Sequence, residues 1–113
     1  MADRLNIHPA EGVWVVRAGG AIIAESRAAL QLDETGYEPV IYFPRDDIAM
    51  AFLEPSETTT SCPHKGAASY FHITGPGTTL RDAAWSYDAP LPGAAGIGGY
   101  LAFDPEQVTV ERL

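Results

Sequence analysis

Short runs of β-branched and aromatic residues, broken by glycine or proline at intervals of about 8–12 residues, restrict the fold of this chain most strongly. The clearest example is a pair of runs, Val13–Ala18 and Ala21–Glu25, separated by Gly19-Gly20. Because glycine at both turn positions can take positive φ, this segment predicts a β-hairpin. The same pattern along the rest of the chain predicts an all-β, mainly antiparallel fold, either a sandwich or an open barrel.

Further strands are predicted where polar and apolar residues alternate, or where a short apolar run lies between turn residues. They are Ala28–Glu34 (with a short helix after Ser26 as the alternative), Val40–Phe43, Thr58–Cys62, Ala68–Thr74, Thr78–Tyr87 (one bent strand or two short ones), Tyr100–Phe103 and Val108–Arg112. A turn is expected at Gly75-Pro76-Gly77 and a loop at Pro90–Gly99. One short helix is predicted at Asp47–Leu53, capped by Asp46 and ended by Pro55.

The composition predicts a single globular domain over residues 1–113, with 46% hydrophobic residues for its core. Seven basic and fifteen acidic residues give a net charge of −8, which repels phosphate backbones, so a nucleic-acid partner is not expected. No apolar run approaches the roughly 18 residues of a membrane span, and the N-terminal residues do not resemble a signal peptide. With one cysteine and therefore no internal disulfide, we expect a cytoplasmic protein without a membrane partner.

The segment Thr58–Tyr70 contains the main candidate site, because it holds the chain's single cysteine, Cys62, and single lysine, Lys65, with His64 between them. A cationic neighbour lowers the pKa of a thiol and activates it as a nucleophile, whereas a buried cysteine simply packs as a small apolar residue. Lys65 has three interpretations: a point charge for an anionic ligand, a base if it is desolvated, or a salt bridge that closes the turn.

Other candidate residues lie outside this segment. Glu34 supplies a carboxylate opposite Lys65 if the register of its strand turns it toward the same cavity, and the sequence does not fix that register. Arg45 either binds a carboxylate or phosphate or forms a structural pair with an aspartate. Amphipathic aromatic residues suited to lining a pocket are Tyr42, Tyr70, Trp85 and Tyr87. No metal site is expected, since Cys62 and His64 supply at most two nearby ligands. No cofactor is expected either, because the glycine string at residues 93–99 lacks the lysine and helix pattern of a phosphate-binding loop.

Several motifs together resemble a known bacterial family. They are Tyr42-Phe43-Pro44-Arg45-Asp46-Asp47, Thr60-Ser61-Cys62-Pro63-His64-Lys65-Gly66-Ala67-Ala68-Ser69-Tyr70, and Ala84-Trp85-Ser86-Tyr87 with Pro90, Gly99 and Phe103. Over residues 12–113 the chain resembles the family catalogued as domain of unknown function 427. The resemblance implies a non-secreted bacterial protein with a small antiparallel fold, shaped like a tent or incomplete barrel around one cavity. The family name carries a nucleotidyltransferase-like label without an established activity.

Three functional hypotheses follow. The first is a binding module whose cavity, walled by Tyr70, Trp85 and Tyr87, holds a small and possibly anionic molecule oriented by Lys65 and Arg45. The second is an enzyme with Cys62 as nucleophile, activated by His64 or Lys65, with an acidic residue such as Glu34 or Asp47 transferring protons. The third is a structural domain that forms a homodimer through an exposed strand edge.

Overall fold

The computed structural model describes residues 4–75 and 77–113, which form ten β-strands and three short 3₁₀ helices. The strands are β1 (Leu5–Pro9), β2 (Trp14–Ala18), β3 (Ala21–Ser26), β4 (Leu30–Glu34), β5 (Val40–Tyr42), β6 (Leu53–Cys62), β7 (Gly66–Gly75), β8 (Thr78–Ser86), β9 (Leu101–Phe103) and β10 (Thr109–Arg112). The 3₁₀ helices are Arg45–Asp47, Met50–Phe52 and Pro92–Ile97. The predicted all-β class is confirmed.

All strand pairs are antiparallel and form three sheets, in the orders β1-β4-β5, β10-β2-β3 and β6-β7-β8-β9. Two backbone hydrogen bonds join the first sheet to the third: the Phe43 N–H donates to the Leu101 carbonyl (2.7 Å), and the Leu101 N–H donates to the Phe43 carbonyl (2.9 Å). The residue that follows β5 is therefore paired with the first residue of β9, and this pair connects the first sheet to the third. Within the described residues no pairing returns from β6 to β1, so the strands form an incomplete barrel and not a closed one.

Both faces of the sheet β6-β7-β8-β9 contribute side chains to a hydrophobic core, because successive side chains of a strand point in opposite directions. One face carries Phe71 and Ala84 and packs against the sheet β10-β2-β3. The other face carries Tyr70 and Trp85 and packs against the sheet β1-β4-β5 and the 3₁₀ helix Pro92–Ile97. Two separate hydrophobic cores result, and the aromatic residues singled out in the sequence belong to the second one.

The predicted hairpin is confirmed as β2 and β3, with Gly19 at a φ of 60° in its turn. The other predicted strands are also found, and the segment predicted as one bent strand or two short ones forms the single strand β8, Thr78–Ser86. Two differences concern β1, which the sequence pattern did not indicate, and β6, which begins at Leu53 and includes Pro55. Strand β6 lies at the edge of its sheet, where a proline without an N–H donor is tolerated.

The prediction of one helix at Asp47–Leu53 is wrong, because two short 3₁₀ helices occupy this region instead. Between them Ile48 is extended and pairs with Ala24, and the Ala49 N–H donates to the Ile23 carbonyl at 2.8 Å. Strand β3 thus forms hydrogen bonds with backbone groups that a continuous helix would use for its own hydrogen bonds. Asp46 makes no capping hydrogen bond, since the residue before the first turn is Pro44.

The segment expected to be a loop contains the 3₁₀ helix Pro92–Ile97, whose residues Ala94 and Ile97 are buried in the second core. The turn predicted at Gly75-Pro76-Gly77 includes Pro76, which lies outside the described residues. In the ranges 4–75 and 77–113, no helix has the length and apolar character needed to cross a membrane.

Candidate functional site

Lys65 is positioned by the tight turn between β6 and β7. Cys62, the last residue of β6, pairs with Gly66, the first residue of β7. Gly66 has a φ of +111°, which L side chains rarely adopt, and its α-carbon faces the backbone of residues 89–91. The Lys65 carbonyl accepts a hydrogen bond from the Leu91 N–H at 2.9 Å, which ties the turn to the segment after β8. The turn therefore holds the lysine backbone in a defined place.

The Lys65 side chain reaches across the second core to Glu34, the last residue of β4. Lys65 Nζ donates to Glu34 Oε1 at 2.7 Å, and the two side chains are only 13% and 8% exposed. The same ammonium lies 5.9 Å from the centre of the Tyr87 ring. The structure thus brings together the carboxylate and the ammonium that the sequence suggested as opposite partners.

The charge of Lys65 is set by two opposing effects. Burial lowers the pKa of its amine, but the hydrogen bond that it donates to Glu34 and the nearby Tyr87, Glu34 and Cys62 groups raise it, and the net pKa is raised. The amine is therefore protonated at neutral pH. A protonated amine holds a partner by charge, but it is neither a base nor a nucleophile until it loses its proton.

Aromatic side chains around this pair line a cavity of about 360 Å³. Its lining residues are Val40, Tyr42, Lys65, Tyr70, Asp82, Trp85, Tyr87 and Asp104. The Tyr70 and Trp85 rings are 6.3 Å apart at an interplanar angle of 40°, and Trp85 Nε1 donates to the Tyr42 hydroxyl at 3.4 Å. Burial raises the pKa of both Tyr42 and Tyr87, so both phenols remain neutral at neutral pH.

Two carboxylates that sequence reasoning missed, Asp82 and Asp104, also line this cavity. Asp82 lies in a bulge of β8, where residues 81–83 oppose His72 alone, and it has a φ of 50°, which is uncommon for a residue other than glycine. The charged pair Arg81-Asp82 in the middle of a strand was the signal in the sequence that could have drawn attention to it. The signal did not give the bulge, which depends on the pairing with β7.

Asp82 is held by side chains from the neighbouring strands. It accepts hydrogen bonds from Ser56 Oγ at 2.5 Å and Thr58 Oγ1 at 2.8 Å, both on the bulged part of β6. These two hydroxyls keep the pKa of the Asp82 carboxyl below its usual range. The Asp82 N–H donates to His72 Nδ1 at 2.9 Å. Asp82 is therefore ionised and fixed in orientation.

The model of the family described as Domain of unknown function (DUF427) matches residues 6–113. The chain belongs to the DUF427 family. No curated protein matches it. The cavity therefore has to be interpreted from the geometry of this DUF427 protein itself.

Arg45 is not brought to the cavity of this DUF427 protein. Its Nε donates to the Gly99 carbonyl at 2.8 Å, and its terminal nitrogen donates to Asp88 Oδ1 at 2.9 Å. The guanidinium lies 5.6 Å from the centre of the Phe71 ring. Phe71 is on one face of the sheet β6-β7-β8-β9, and Tyr70 and Trp85 are on the opposite face. Arg45 thus has the structural role that the sequence left as its alternative.

The remaining predicted site residues lie at the margin of the site. Cys62 is partly buried against the second core. His64 is exposed in the turn. Among residues 4–75 and 77–113, no three His, Cys, Asp or Glu side chains are grouped closely enough to hold a metal ion. The DUF427 cavity therefore offers aromatic faces, one compensated ion pair and two further carboxylates.

Proposed function

We propose that this protein is a binding module that takes a small organic molecule with a planar apolar body into the cavity beside Lys65. The observation that carries the proposal is the convergence of Tyr42, Tyr70, Trp85 and Tyr87 on one cavity of about 360 Å³. This volume lies within the range of about 300–1,000 Å³ that is typical of small-molecule sites. Mixed apolar walls and a few fixed polar groups are also typical of such sites.

Stacking supports this binding better than charge attraction does. Glu34 already compensates the Lys65 ammonium, and Arg45 lies on the opposite face of the sheet, so neither cation is available to attract the anionic ligand expected from the sequence. Among the described residues, no lysine or arginine side chain lies over the rings of Tyr70 and Trp85, so these ring faces remain for a ligand. A planar body that lies against the cavity side of these rings gains the apolar contact and offset stacking that aromatic pairs favour.

The binding module is also preferred over the enzyme that the sequence suggested. The raised pKa of Lys65 keeps its amine protonated, which disfavours a role as base or Schiff-base nucleophile. Cys62 is partly buried with apolar neighbours, as expected for a cysteine that contributes to packing. Neither residue therefore has the environment of an activated nucleophile.

The two tryptophans make the proposal testable by NMR with benzyl alcohol, a neutral planar probe. Trp85 lines the cavity, whereas Trp14 does not line it and its indole donates to the Glu11 carbonyl. Both tryptophans line a neighbouring cavity of about 380 Å³, so a probe that binds there instead would shift both indole signals. We expect the indole N–H signal of Trp85 to shift and saturate as benzyl alcohol is added, while the Trp14 signal stays in place.

Two variants control this titration. Tyr70→Leu removes one aromatic wall and should weaken the binding of benzyl alcohol, whereas Tyr37→Leu, at a position that is 71% exposed, should leave it unchanged. Equal, non-saturating shifts of both indole signals would contradict the proposal. So would identical titrations of the two variants.

A further inference from the structure

We infer that the cavity selects ligands that carry an ammonium group, held at the end formed by Asp82 and Asp104. This inference rests on the proposed function, because it concerns the charge of the ligand and not whether one binds. It differs from the expectation of an anionic ligand, and it follows from how the charged groups are distributed along the cavity.

The cavity has two distinct ends. One end contains Lys65 with Glu34 and Tyr87. Asp82 lies five residues before Tyr87, with Trp85 between them, so it lies toward the other end of the cavity. The Asp104 N–H donates to the Ala83 carbonyl at 2.8 Å, so Asp104 lies beside this part of β8. The second end is therefore acidic, and the residues that form it are not those that hold Lys65.

In the part of the chain that the structure describes, no lysine or arginine nitrogen forms an ion pair within 4.0 Å with either carboxylate of the acidic end. Within the described residues, the one ion-pair partner of Asp82 closer than 4.0 Å is His72, at 3.6 Å. His72 Nδ1 accepts the Asp82 N–H at 2.9 Å, so this nitrogen does not donate a hydrogen bond to the carboxylate. Arg81 also acts on Asp82 through its charge, but it is exposed and does not line the cavity.

Asp104 has neutral partners as well. Its two oxygens accept hydrogen bonds from the Glu106 N–H at 2.9 Å and from Gln107 Nε2 at 3.0 Å. Neither partner carries positive charge. The lining residues thus hold two carboxylates at this end, while the single lining cation at the other end is already paired.

The aromatic rings lie between these ends and suit the same ligand. An ammonium group is attracted to the faces of tryptophan and tyrosine, because the negative face of the ring attracts the positive charge. Lys65 already lies over Tyr87, which leaves Tyr70 and Trp85 for a ligand. A ligand with a planar body and a short ammonium arm can stack on Trp85 and reach the acidic end.

The test compares three probes with the same phenyl ring and different charge: benzylammonium, benzyl alcohol and benzoate. Each is titrated at pH 7 against the intact protein, with the Trp85 indole N–H signal as reporter and the Trp14 signal as control. We expect benzylammonium to bind about tenfold more tightly than benzyl alcohol, as cation–π and carboxylate contacts allow, and benzoate to bind most weakly.

Matched variants separate a local effect from the overall charge of −8. Asp82→Asn and Asp104→Asn each keep a side-chain acceptor for the existing hydrogen bonds, and each should reduce the preference for benzylammonium over benzyl alcohol. Glu106→Gln removes one negative charge from an exposed residue that does not line the cavity, and it should leave the preference intact.

The possible results distinguish this inference from the proposed function. If benzyl alcohol binds as well as benzylammonium, or if benzoate binds best, the cavity binds ligands but the selection of ammonium is wrong. An equal loss of preference in Glu106→Gln and Asp82→Asn also overturns the inference, since the effect would then come from net charge. If none of the three probes shifts the Trp85 signal, both proposals fail.

Discussion

At the scale of single residues, Lys65 and Glu34 show how much the surroundings decide what a charged side chain can do. Both are largely buried, and each removes the main electrostatic cost of burying the other. The nearly identical distance of the exposed pair Arg17–Glu111, 2.8 Å at 44% and 42% exposure, does not make the two pairs equivalent. Water screens the exposed pair, whereas breaking the buried pair leaves an uncompensated charge.

We predict that Lys65→Met and Glu34→Gln each destabilise the protein by about 3 kcal/mol, the lower end of the range for breaking a buried pair. The double variant Glu34→Gln/Lys65→Met should recover most of this loss, because no buried charge then lacks its partner. Urea unfolding of the four proteins measures the coupling.

The exposed pair provides the control for this cycle, since Arg17→Met should cost less than about 1 kcal/mol. If the double variant loses as much stability as the two single variants combined, Lys65 and Glu34 are not coupled, and the argument for a compensated pair fails.

At the scale of secondary-structure elements, turns and bulges place the site's polar groups. The turn after β6 carries Lys65, and two adjacent bulges carry the residues around Asp82. In β6, residues 56–58 oppose Tyr70 alone, and in β8, residues 81–83 oppose His72 alone. Extra residues on both sides of β7 allow Ser56 and Thr58 to reach Asp82 across it. Regular pairing would not bring these side chains to the same carboxylate.

Gly66 is the residue on which the geometry of the turn depends. We predict that Gly66→Ala destabilises the protein by about 1–2 kcal/mol, because an L residue is strained at a φ of +111° and its β-carbon would meet the Leu91 nitrogen at 3.4 Å. Urea unfolding measures the loss. Displacement of the turn should also move Lys65 and change the Trp85 indole signal.

Gly20→Ala is the matched control, because a β-carbon there meets no atom within 4 Å. It should change the free energy of unfolding by less than Gly66→Ala does. Equal effects of the two substitutions would mean that the tight turn places no special demand on its glycine.

At the scale of the whole molecule, one sheet separates two cores, and the ionisable groups are unequally shared between them. The core between β6-β7-β8-β9 and β1-β4-β5 contains or borders Glu34, Tyr42, Cys62, Lys65 and Tyr87. The pKa values of Lys65, Tyr42 and Tyr87 are all raised, so the folded protein keeps protons that the unfolded chain releases. The stability of the fold is therefore linked to alkaline pH through this one core.

We predict that the free energy of unfolding falls as the pH rises above about 10, the unperturbed range of lysine and tyrosine. The sign follows because the folded state binds more protons than the unfolded state in this range. Below it, all three groups are protonated in both states and the slope disappears. Urea unfolding between pH 8 and 11 measures this dependence.

Tyr42→Phe should reduce the alkaline slope, because it removes a buried phenol that is 1% exposed. Tyr37→Phe, at a position that is 71% exposed, should not. An unchanged slope in Tyr42→Phe would show that burial of this phenol does not contribute to the alkaline loss of stability.

The sequence by itself determined the all-β class, most strand positions and the hairpin at Gly19-Gly20, because these depend on local alternation and turn chemistry. It also indicated Lys65 and the four aromatic residues as a group. Only the tertiary structure decided that Glu34 faces Lys65, that Arg45 lies on the opposite face, and that Asp82 and Asp104 line the cavity. These outcomes depend on register, since a shift of one residue moves a side chain to the other face of a sheet. The helix predicted at Asp47–Leu53 does not form for a related reason, because β3 pairs with the backbone of this segment.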